Sequence, residues 1–371
     1  MKKLIFPFIA IVAIVAGMGC STKFKIAAPY KNITVIYGYL DMNDTAHYIR
    51  VQKAFLDQSK SALTMAQTPD SSFYANINVR INRIDLNDSL VHDTIHLNRV
   101  DLGQEGYPKQ QGVFFNTPNY AYKFKNLLDP NYIYRIVVTN QSTGQVDSSD
   151  APVIDDRPND INPASGTPYF TSPVFSDTSR LGFASTLPNK YVDIFAVYTP
   201  PSNFNFEGIS TPAVVAQLII QFNWDDSDFT THLKTPRSSD YDLGYQYLLT
   251  STGTGQIDYQ IPDVSLYIAL SSALGLAPAN VIRLLDVCNV YIYLGTQDFL
   301  SYQQNSLVQG TGLTGSEIEP VYTNVKGPDA LGLYTSRGMQ QGTMKYTFDT
   351  VDSLEISPLM QGTNIQGTVY Y

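Results

Sequence analysis

The chain has 371 residues, which is long enough for two domains of ordinary size that each bury a hydrophobic core. Its 33 Asp and Glu outnumber its 24 Lys and Arg, the net charge is -9 at pH 7, and we find no clustered Lys and Arg. A role in binding DNA or RNA is therefore excluded, because phosphates require such clusters. The 26 Tyr and 18 Phe, with abundant Thr, Val and Ile, predict a mainly β protein.

Residues 1–19 have the features of a signal peptide. Lys2 and Lys3 precede an apolar run over 4–16, which is too short to span a bilayer because that takes about 20 residues. Gly-Met-Gly at 17–19 then precedes Cys20, and this resembles the bacterial lipobox, with Gly where the lipobox usually has Leu. The resemblance implies that Cys20 is diacylated and becomes the lipid-bearing N-terminus. A transmembrane anchor and ordinary secretion are the alternatives.

Residues 20–31 are predicted to form a lipidated tether, and residues 32–150 an immunoglobulin-like β-sandwich without its disulfide. The clearest alternation runs over 75–81, where Ala75, Ile77, Val79 and Ile81 point to one face of a strand. Turn residues recur at intervals typical of a sandwich. The predicted strands of this region cover residues 33–40, 47–55, 75–81, 112–116, 120–125 and 132–139.

Residues 151–173 are rich in Asp, Pro, Ser and Asn and are predicted to be a linker. Residues 174–371 are predicted to form a second β domain with a small helical insertion, whose strand pairing one sequence leaves open. Predicted helices cover 264–274, 280–287 after Pro278, and 298–307. Predicted strands cover 191–198, 214–224, 244–250, 255–260, 290–294, 344–348 and 366–371.

Five motifs give the chain a family resemblance. They are Gly-Tyr-Leu at 38–40, Leu-Asp-Pro-Asn-Tyr-Ile-Tyr at 128–134, Val-Tyr-Ile-Tyr at 290–293, Glu-Pro-Val-Tyr-Thr-Asn-Val-Lys-Gly at 319–327 and Ala-Leu-Gly-Leu-Tyr at 330–334. With the lipobox, the chain resembles uncharacterised outer-membrane lipoproteins of Bacteroidota that carry an N-terminal immunoglobulin-like sandwich and a larger β domain. The resemblance implies an outer-membrane location and a β-barrel partner, since family members often accompany TonB-dependent receptors. It leaves the face of the membrane open.

Five short triplets match the O-glycosylation pattern of that phylum, in which Asp precedes Ser or Thr and then a methyl-bearing residue. A glycan on such a residue would make the surface more soluble. The alternative is that these are ordinary Asp-Thr turns of a β protein. The candidate acceptors, all expected on exposed turns, are Thr45, Ser89, Thr94, Thr350 and Ser353.

Catalytic and metal-binding patterns are weak. His92 and His96 have metal-like spacing, but a solvated hairpin is the favoured interpretation because the context is strand-like and no third ligand is evident. His47 and His232 are interpreted likewise. The Asp-rich turns at 85–88 and 225–228 lack the pattern of a helical calcium loop, although structural calcium stays an alternative. Cys288 is expected to be a buried apolar residue. We therefore predict no catalytic residue, metal or cofactor.

The sequence thus predicts a lipid-anchored envelope protein that acts by interaction, as an accessory subunit beside an outer-membrane β-barrel. The first alternative is a surface glycan-binding module, in which tyrosines and Trp224 would stack on sugars, although such aromatic residues usually belong to a core. A hydrolase built from scattered Asp residues is the second alternative. The glycine-rich loop over 309–315 is the candidate contact region, although an idle surface loop is the favoured interpretation.

Overall fold

The computed structural model describes residues 33–54, 61–155, 170–171, 180–181, 191–198, 204–207, 211–250, 255–310, 322–346, 355 and 357–367. The protein is mainly β, as the composition predicts. The helices are α1 (Ala62–Ala66), α2 (Pro69–Ser72), α3 (Asp263–Leu274), α4 (Gln297–Gly310) and a single 3-10 turn (Pro358–Met360). None of the helices in the described ranges combines the length and the hydropathy needed to cross a membrane.

The strands fall into two groups along the chain. The N-terminal group is β1 (Thr34–Asp41), β2 (His47–Lys53), β3 (Ile77–Asp85), β4 (Val91–His96), β5 (Asn98–Asp101), β6 (Tyr120–Phe124), β7 (Tyr132–Asn140) and β8 (Val146–Pro152). The second group is β9 (Phe170–Thr171), β10 (Arg180–Leu181), β11 (Tyr191–Tyr198), β12 (Val215–Asp228), β13 (Lys234–Tyr247), β14 (Leu249–Thr250), β15 (Gly255–Pro262), β16 (Val281–Leu285), β17 (Cys288–Gly295), β18 (Ala330–Tyr346) and β19 (Ile365–Gly367).

The N-terminal group forms the predicted immunoglobulin-like sandwich. One sheet has the order β1-β2-β6-β5 and the other β4-β3-β7-β8. In immunoglobulin lettering these orders are A-B-E-D and C′-C-F-G, which is the arrangement of that fold with one added strand. Tyr134, near the start of β7, accepts a hydrogen bond at its hydroxyl from the Asp129 amide at 2.9 Å, and this is the tyrosine corner of such domains.

The sandwich core follows from alternation along the strands. Ile36 and Ile49 of the first sheet and Ile81 and Ile136 of the second are all 0% exposed and belong to one hydrophobic cluster. Burying side chains of this size stabilises a fold by about 1.5 to 3 kcal/mol each. The alternation predicted over 75–81 therefore marks a core face at Val79 and Ile81, whereas Ile77 is half-buried and Ala75 is exposed just before the strand begins at Ile77.

The first sheet continues beyond the sandwich. β1 pairs in parallel with β18, with Thr34 opposite Ala330 and Asp41 opposite Arg337, so one 11-stranded sheet combines strands from both ends of the chain. Gly332 has a φ of +126°, and a Cβ there would lie 1.9 Å from the Ile36 carbonyl oxygen. Only glycine fits at this close approach. The division of the chain at 151–173 stays a prediction, and this sheet joins the regions on its two sides.

β12 is the centre of the second region, where it pairs with β13, β16 and β17. From Ala216 to Trp224 its residues alternate between buried and half-buried, and the buried ones share one hydrophobic cluster with residues of α3. Trp224 is 6% exposed and lies in this core, where its indole N–H donates to Asp226 Oδ1 at 3.1 Å. Trp224 therefore has a core role here and is not an exposed stacking platform.

Two predicted elements are wrong. Residues 281–285, predicted as helix, form β16, which pairs with β12 on one side and β19 on the other. A short apolar run fits either a helix or a strand, and the preceding Pro278 favours a helix because proline is common in a first helical turn. Residues 112–116, predicted as a strand, have no regular structure; there Phe115 packs edge-on against Phe73. The other two predicted helices and the buried position of Cys288 are confirmed.

Candidate functional site

The large sheet has a polar outer face opposite its α3-covered core. On that face Gln221 accepts hydrogen bonds at Oε1 from Asn289 Nδ2 at 3.1 Å and from the Tyr291 hydroxyl at 3.3 Å. Gln217 donates from Nε2 to Asp242 Oδ2 at 2.7 Å. These contacts join β12, β13 and β17 side by side. The outer face is therefore an ordered array of amide and phenol groups that meets solvent.

A cleft of about 280 Å³ opens on this outer face, close to where β1 ends beside the middle of β18. Its walls come from β1, β12, β13, β17, α4 and β18, so residues far apart in sequence meet here. We call it the tyrosine cleft. Its lining residues are Tyr39, Val215, Gln217, Tyr245, Tyr293, Leu294, Gly295, Phe299 and Arg337.

The junction of β17 and α4 sets the position of Phe299. Thr296 lies between the two elements, and its hydroxyl accepts from the Phe299 amide at 3.3 Å, as at the start of many helices. The Thr296 hydroxyl is itself held by Thr335 at 2.6 Å. A Cβ on Gly295 would come 2.7 Å from the Phe299 ring and 3.0 Å from Val215, so a larger residue would displace the ring.

Four aromatic rings line the cleft, those of three tyrosines and of Phe299. The centroid of the Phe299 ring lies 6.2 Å from that of Tyr39 and 6.2 Å from that of Tyr245. Tyr39 and Tyr293 are 37% exposed and Tyr245 is 43% exposed, which leaves ring surface open to a ligand. Partial burial raises the pKa of all three phenols, so each stays neutral and can donate a hydrogen bond at physiological pH.

Arg337 supplies the only charge in the described lining. Its Nε donates to Asp41 Oδ2 at 3.1 Å, and the two residues are register partners where β1 ends beside the middle of β18. Because Asp41 balances this charge, the cleft does not require an anionic ligand. No carboxylate lines it in the described part of the chain.

The predicted modification residues fall in three places. Cys20, Thr350 and Ser353 lie outside the described residues. Thr45 and Ser89 are exposed in loops, as an acceptor requires, and Ser89 has a positive φ of 60°. Thr94 is exposed but lies within β4 instead of on a turn, where its hydroxyl donates to Asn82 Oδ1 at 3.2 Å. Glycosylation at all five positions stays a prediction.

The histidines and Asp-rich segments of the described residues do not assemble a metal site, and residues 225–228, predicted as a turn, form the end of β12. His92 and His96 are exposed on β4, and His92 Nε2 contacts Asp88 Oδ2 at 2.7 Å. Asp228 Oδ1 accepts from the backbone amides of Thr230 and Thr231, and Asp228 Oδ2 accepts from Asn280 Nδ2 at 2.6 Å. Over the described ranges no three His, Cys, Asp or Glu side chains converge as a metal would require.

His47 corrects one interpretation, because it is 2% exposed and not solvated. Its Nε2 contacts the Asn126 carbonyl at 3.0 Å, and its ring stacks near Phe124. Burial lowers the pKa of this imidazole. His232 is exposed, as expected. The candidate loop over 309–315 begins inside α4, which runs to Gly310, and 311–315 lie outside the described residues.

Comparisons with known proteins add little. No family model matches the chain, and no curated protein is similar to it. Among solved structures, calcium-binding domain CBD12 of CALX1.1 aligns with 82% of this chain and 98% of its own at 9% identity. The TM-score of that alignment is 0.16, which is too low to support an argument about fold or function.

Sequence reasoning did not identify the tyrosine cleft, although part of the signal was present. Tyr37 and Tyr39 alternate on β1, and Tyr291 and Tyr293 alternate on β17, so each pair points to one face of its strand. Tyrosines that alternate along a strand were therefore the only signal for an aromatic site that we find in these two strands. Phe299 and Arg337 carry no comparable pattern, because they come to the same place only through the pairing of β17 with β18, in which Gly295 lies opposite Arg337.

Proposed function

We propose that this chain is a lipid-anchored protein of the cell envelope that binds a glycan in the tyrosine cleft. The observation that carries the proposal is the set of partly exposed aromatic rings around Phe299, next to amide and guanidinium donors. A sugar ring has apolar C–H faces and a rim of hydroxyls. Flat aromatic rings can pack against the C–H faces, and Gln217 and Arg337 can hydrogen-bond to the hydroxyls.

The size and charge of the cleft support this ligand class. Its volume of about 280 Å³ lies just below the range of roughly 300 to 1,000 Å³ for small-molecule sites, so it suits a short segment of a glycan chain. The Asp41–Arg337 pair leaves the lining nearly neutral, which favours an uncharged sugar over an acidic one. Glycoside cleavage needs two carboxyl groups. The described lining has none, and this supports binding over a hydrolase activity.

Glycan binding is tested by exposing the full-length protein to an array of diverse polysaccharides and to affinity gels that contain them. We expect retention by at least one glycan class. Tyr293→Ala should lose retention because it removes one wall of the cleft, and Tyr107→Ala should keep it. Tyr107 is the matched control, since it is 59% exposed and outside the cleft lining. Absence of retention on every glycan would reject the proposal.

The anchor is proposed from the residues around Cys20. Several acyl chains, each burying methylenes at about 0.8 kcal/mol apiece, would hold the protein firmly at a membrane. We expect Cys20→Ala to remain unprocessed and to lose metabolic labelling with palmitate, whereas Cys288→Ala keeps both processing and label. Normal processing of Cys20→Ala, with label retained, contradicts the anchor without touching the glycan proposal.

An accessory role beside an outer-membrane β-barrel is the second candidate, and one observation favours it. Leu276, Leu233 and Phe229 are 83%, 64% and 54% exposed. Phe229 and Leu233 lie in the turn between β12 and β13, and the Phe229 amide donates at 3.1 Å to the carbonyl of Asn280, four residues after Leu276. Exposed apolar patches of this kind often contact other proteins. Gentle detergent extraction should then recover a β-barrel with the wild type and less of it with Leu276→Ser.

A further inference from the structure

A second pocket, of about 380 Å³, lies at the opposite end of β1 from the tyrosine cleft. It opens beside the first residues of β1 and the last residues of β2, under the segment that follows β5. Three of its lining residues are cations, Arg50, Lys53 and Lys109, and all three are half-buried. We call it the basic pocket. Phe114 and Phe115 form its apolar wall.

The cations of the basic pocket are held in place by neutral groups. Arg50 donates from Nη2 to Asn119 Oδ1 at 2.8 Å, and Lys109 donates from Nζ to the Phe115 carbonyl at 3.0 Å. The Lys109 ammonium also lies 5.3 Å and 5.1 Å from the ring centres of Phe114 and Phe115. Each contact uses only part of the donor capacity, so N–H groups remain for a ligand.

No carboxylate of the described residues forms an ion pair with these three cations, and none lines the pocket. Elsewhere the pattern differs, since Lys123 pairs with Glu105 and Arg135 with Asp150. Burial, and then the positive charge of Arg50, lower the pKa of the Lys109 ammonium. Like charges in one half-buried pocket repel each other unless an anion neutralises them.

We propose that the basic pocket is a binding site for a phosphate group, either free or as the headgroup of a lipid. A phosphomonoester carries a charge of about -1.5 to -2 and three acceptor oxygens, which suits three converging cations better than a carboxylate does. The Arg50 guanidinium offers the planar pair of donors that phosphate prefers, and the lysines act as point charges. This inference is independent of glycan binding, because the two pockets share no residue.

Calorimetric titration of the detergent-solubilised full chain with inorganic phosphate tests the proposal. We expect binding, and Lys109→Gln should weaken it about ten-fold or more, because the variant loses one charge-assisted hydrogen bond to the phosphate. Lys53→Gln is the second variant, in case Lys109→Gln alters folding, and thermal unfolding monitors both. Lys234→Gln, at an exposed lysine of β13, should bind like the wild type.

Two comparisons identify the source of the phosphate and the competing explanation. Short-chain phosphatidate, kept below its micelle concentration, should bind more tightly than inorganic phosphate if the ligand is a lipid headgroup, and no more tightly if it is free phosphate; both results support the site. Asp57 lies outside the described residues, so Asp57→Asn is measured as well. A large gain in phosphate affinity in that variant would overturn the proposal, since the chain's own carboxylate would then occupy the pocket. Absence of phosphate binding by the folded wild type, or binding as tight as the wild type in both the Lys109→Gln and Lys53→Gln variants, overturns it too.

Discussion

The β1–β18 pairing and the β3–β4 hairpin join strands in opposite ways. In the first, residues far apart in sequence lie side by side in a buried setting, where Ile36, Leu333 and Tyr334 are 0% exposed. In the second, the strands are connected by a short turn, and β4 is exposed along most of its length. Shape complementarity therefore dominates the first pairing, and solvent-screened polar contacts dominate the second.

Gly332→Ala is the strongest way to break the buried pairing. The added methyl would meet the Ile36 carbonyl at 1.9 Å in a backbone conformation that alanine rarely adopts. We expect a loss of about 3 to 5 kcal/mol in the free energy of unfolding, measured by urea denaturation.

Gly144→Ala is the matched control for that substitution. Gly144 also has a positive φ, of +74°, but lies in a local turn with nothing within 4 Å of an added Cβ. We expect it to lose only about 1 kcal/mol, from backbone strain alone. Equal losses in the two variants would show that the β1–β18 contact does not determine the effect.

Substitution of two buried tyrosines should change the free energy of unfolding by a smaller amount. Tyr134 and Tyr334 are both 0% exposed, but only the Tyr134 hydroxyl has a hydrogen-bond partner in the described part of the chain. Tyr134→Phe should therefore lose about 1 kcal/mol, whereas Tyr334→Phe should be neutral or gain up to about 1 kcal/mol. Denaturant midpoints compare the two. A clear loss in Tyr334→Phe would reveal a partner for its hydroxyl and contradict this explanation.

The smallest expected effect is the pH dependence of stability, which has opposite directions for a histidine in the exposed hairpin and one in the buried sandwich. The hydrogen bond to Asp88 raises the pKa of His92 in the hairpin, so its stabilising contribution is full below about pH 6.5 and is lost as the pH rises through the raised value. Burial lowers the pKa of His47 in the sandwich, so stability falls as the pH drops below about 6.5 and through the lowered value. NMR titration of both imidazoles checks the two directions. His92→Gln should remove only the first effect, and titration of both histidines with the same midpoint would contradict the assignment.

Local patterns predicted most of the strands and little of the site. The alternation over 75–81 and the Leu-Asp-Pro-Asn turn before β7 indicate the sandwich. Each pattern depends on residues close in sequence, so one sequence is enough to show it. Residues 281–285 were misassigned for the same reason: five apolar residues fit a helix or a strand, and the neighbours β12 and β19 decide the outcome.

The tyrosine cleft depends on contacts that a single sequence does not display. Asp41 and Arg337 are separated by 296 positions and meet only because β1 and β18 run in parallel. Gly332, which permits that approach, reads as an ordinary glycine within an apolar stretch. The abundance of tyrosine was visible, but the face that it occupies followed only from the register of β17 with β12.

Calorimetric titration with the best-retained glycan, comparing Tyr245→Phe with Tyr245→Ala, asks directly whether aromatic rings hold the sugar. If stacking on the ring carries the binding, the phenylalanine variant keeps affinity close to the wild type, and the alanine variant binds about ten-fold more weakly, a difference of about 1.4 kcal/mol. Equal affinity in all three proteins would place the glycan elsewhere and remove the cleft from the function.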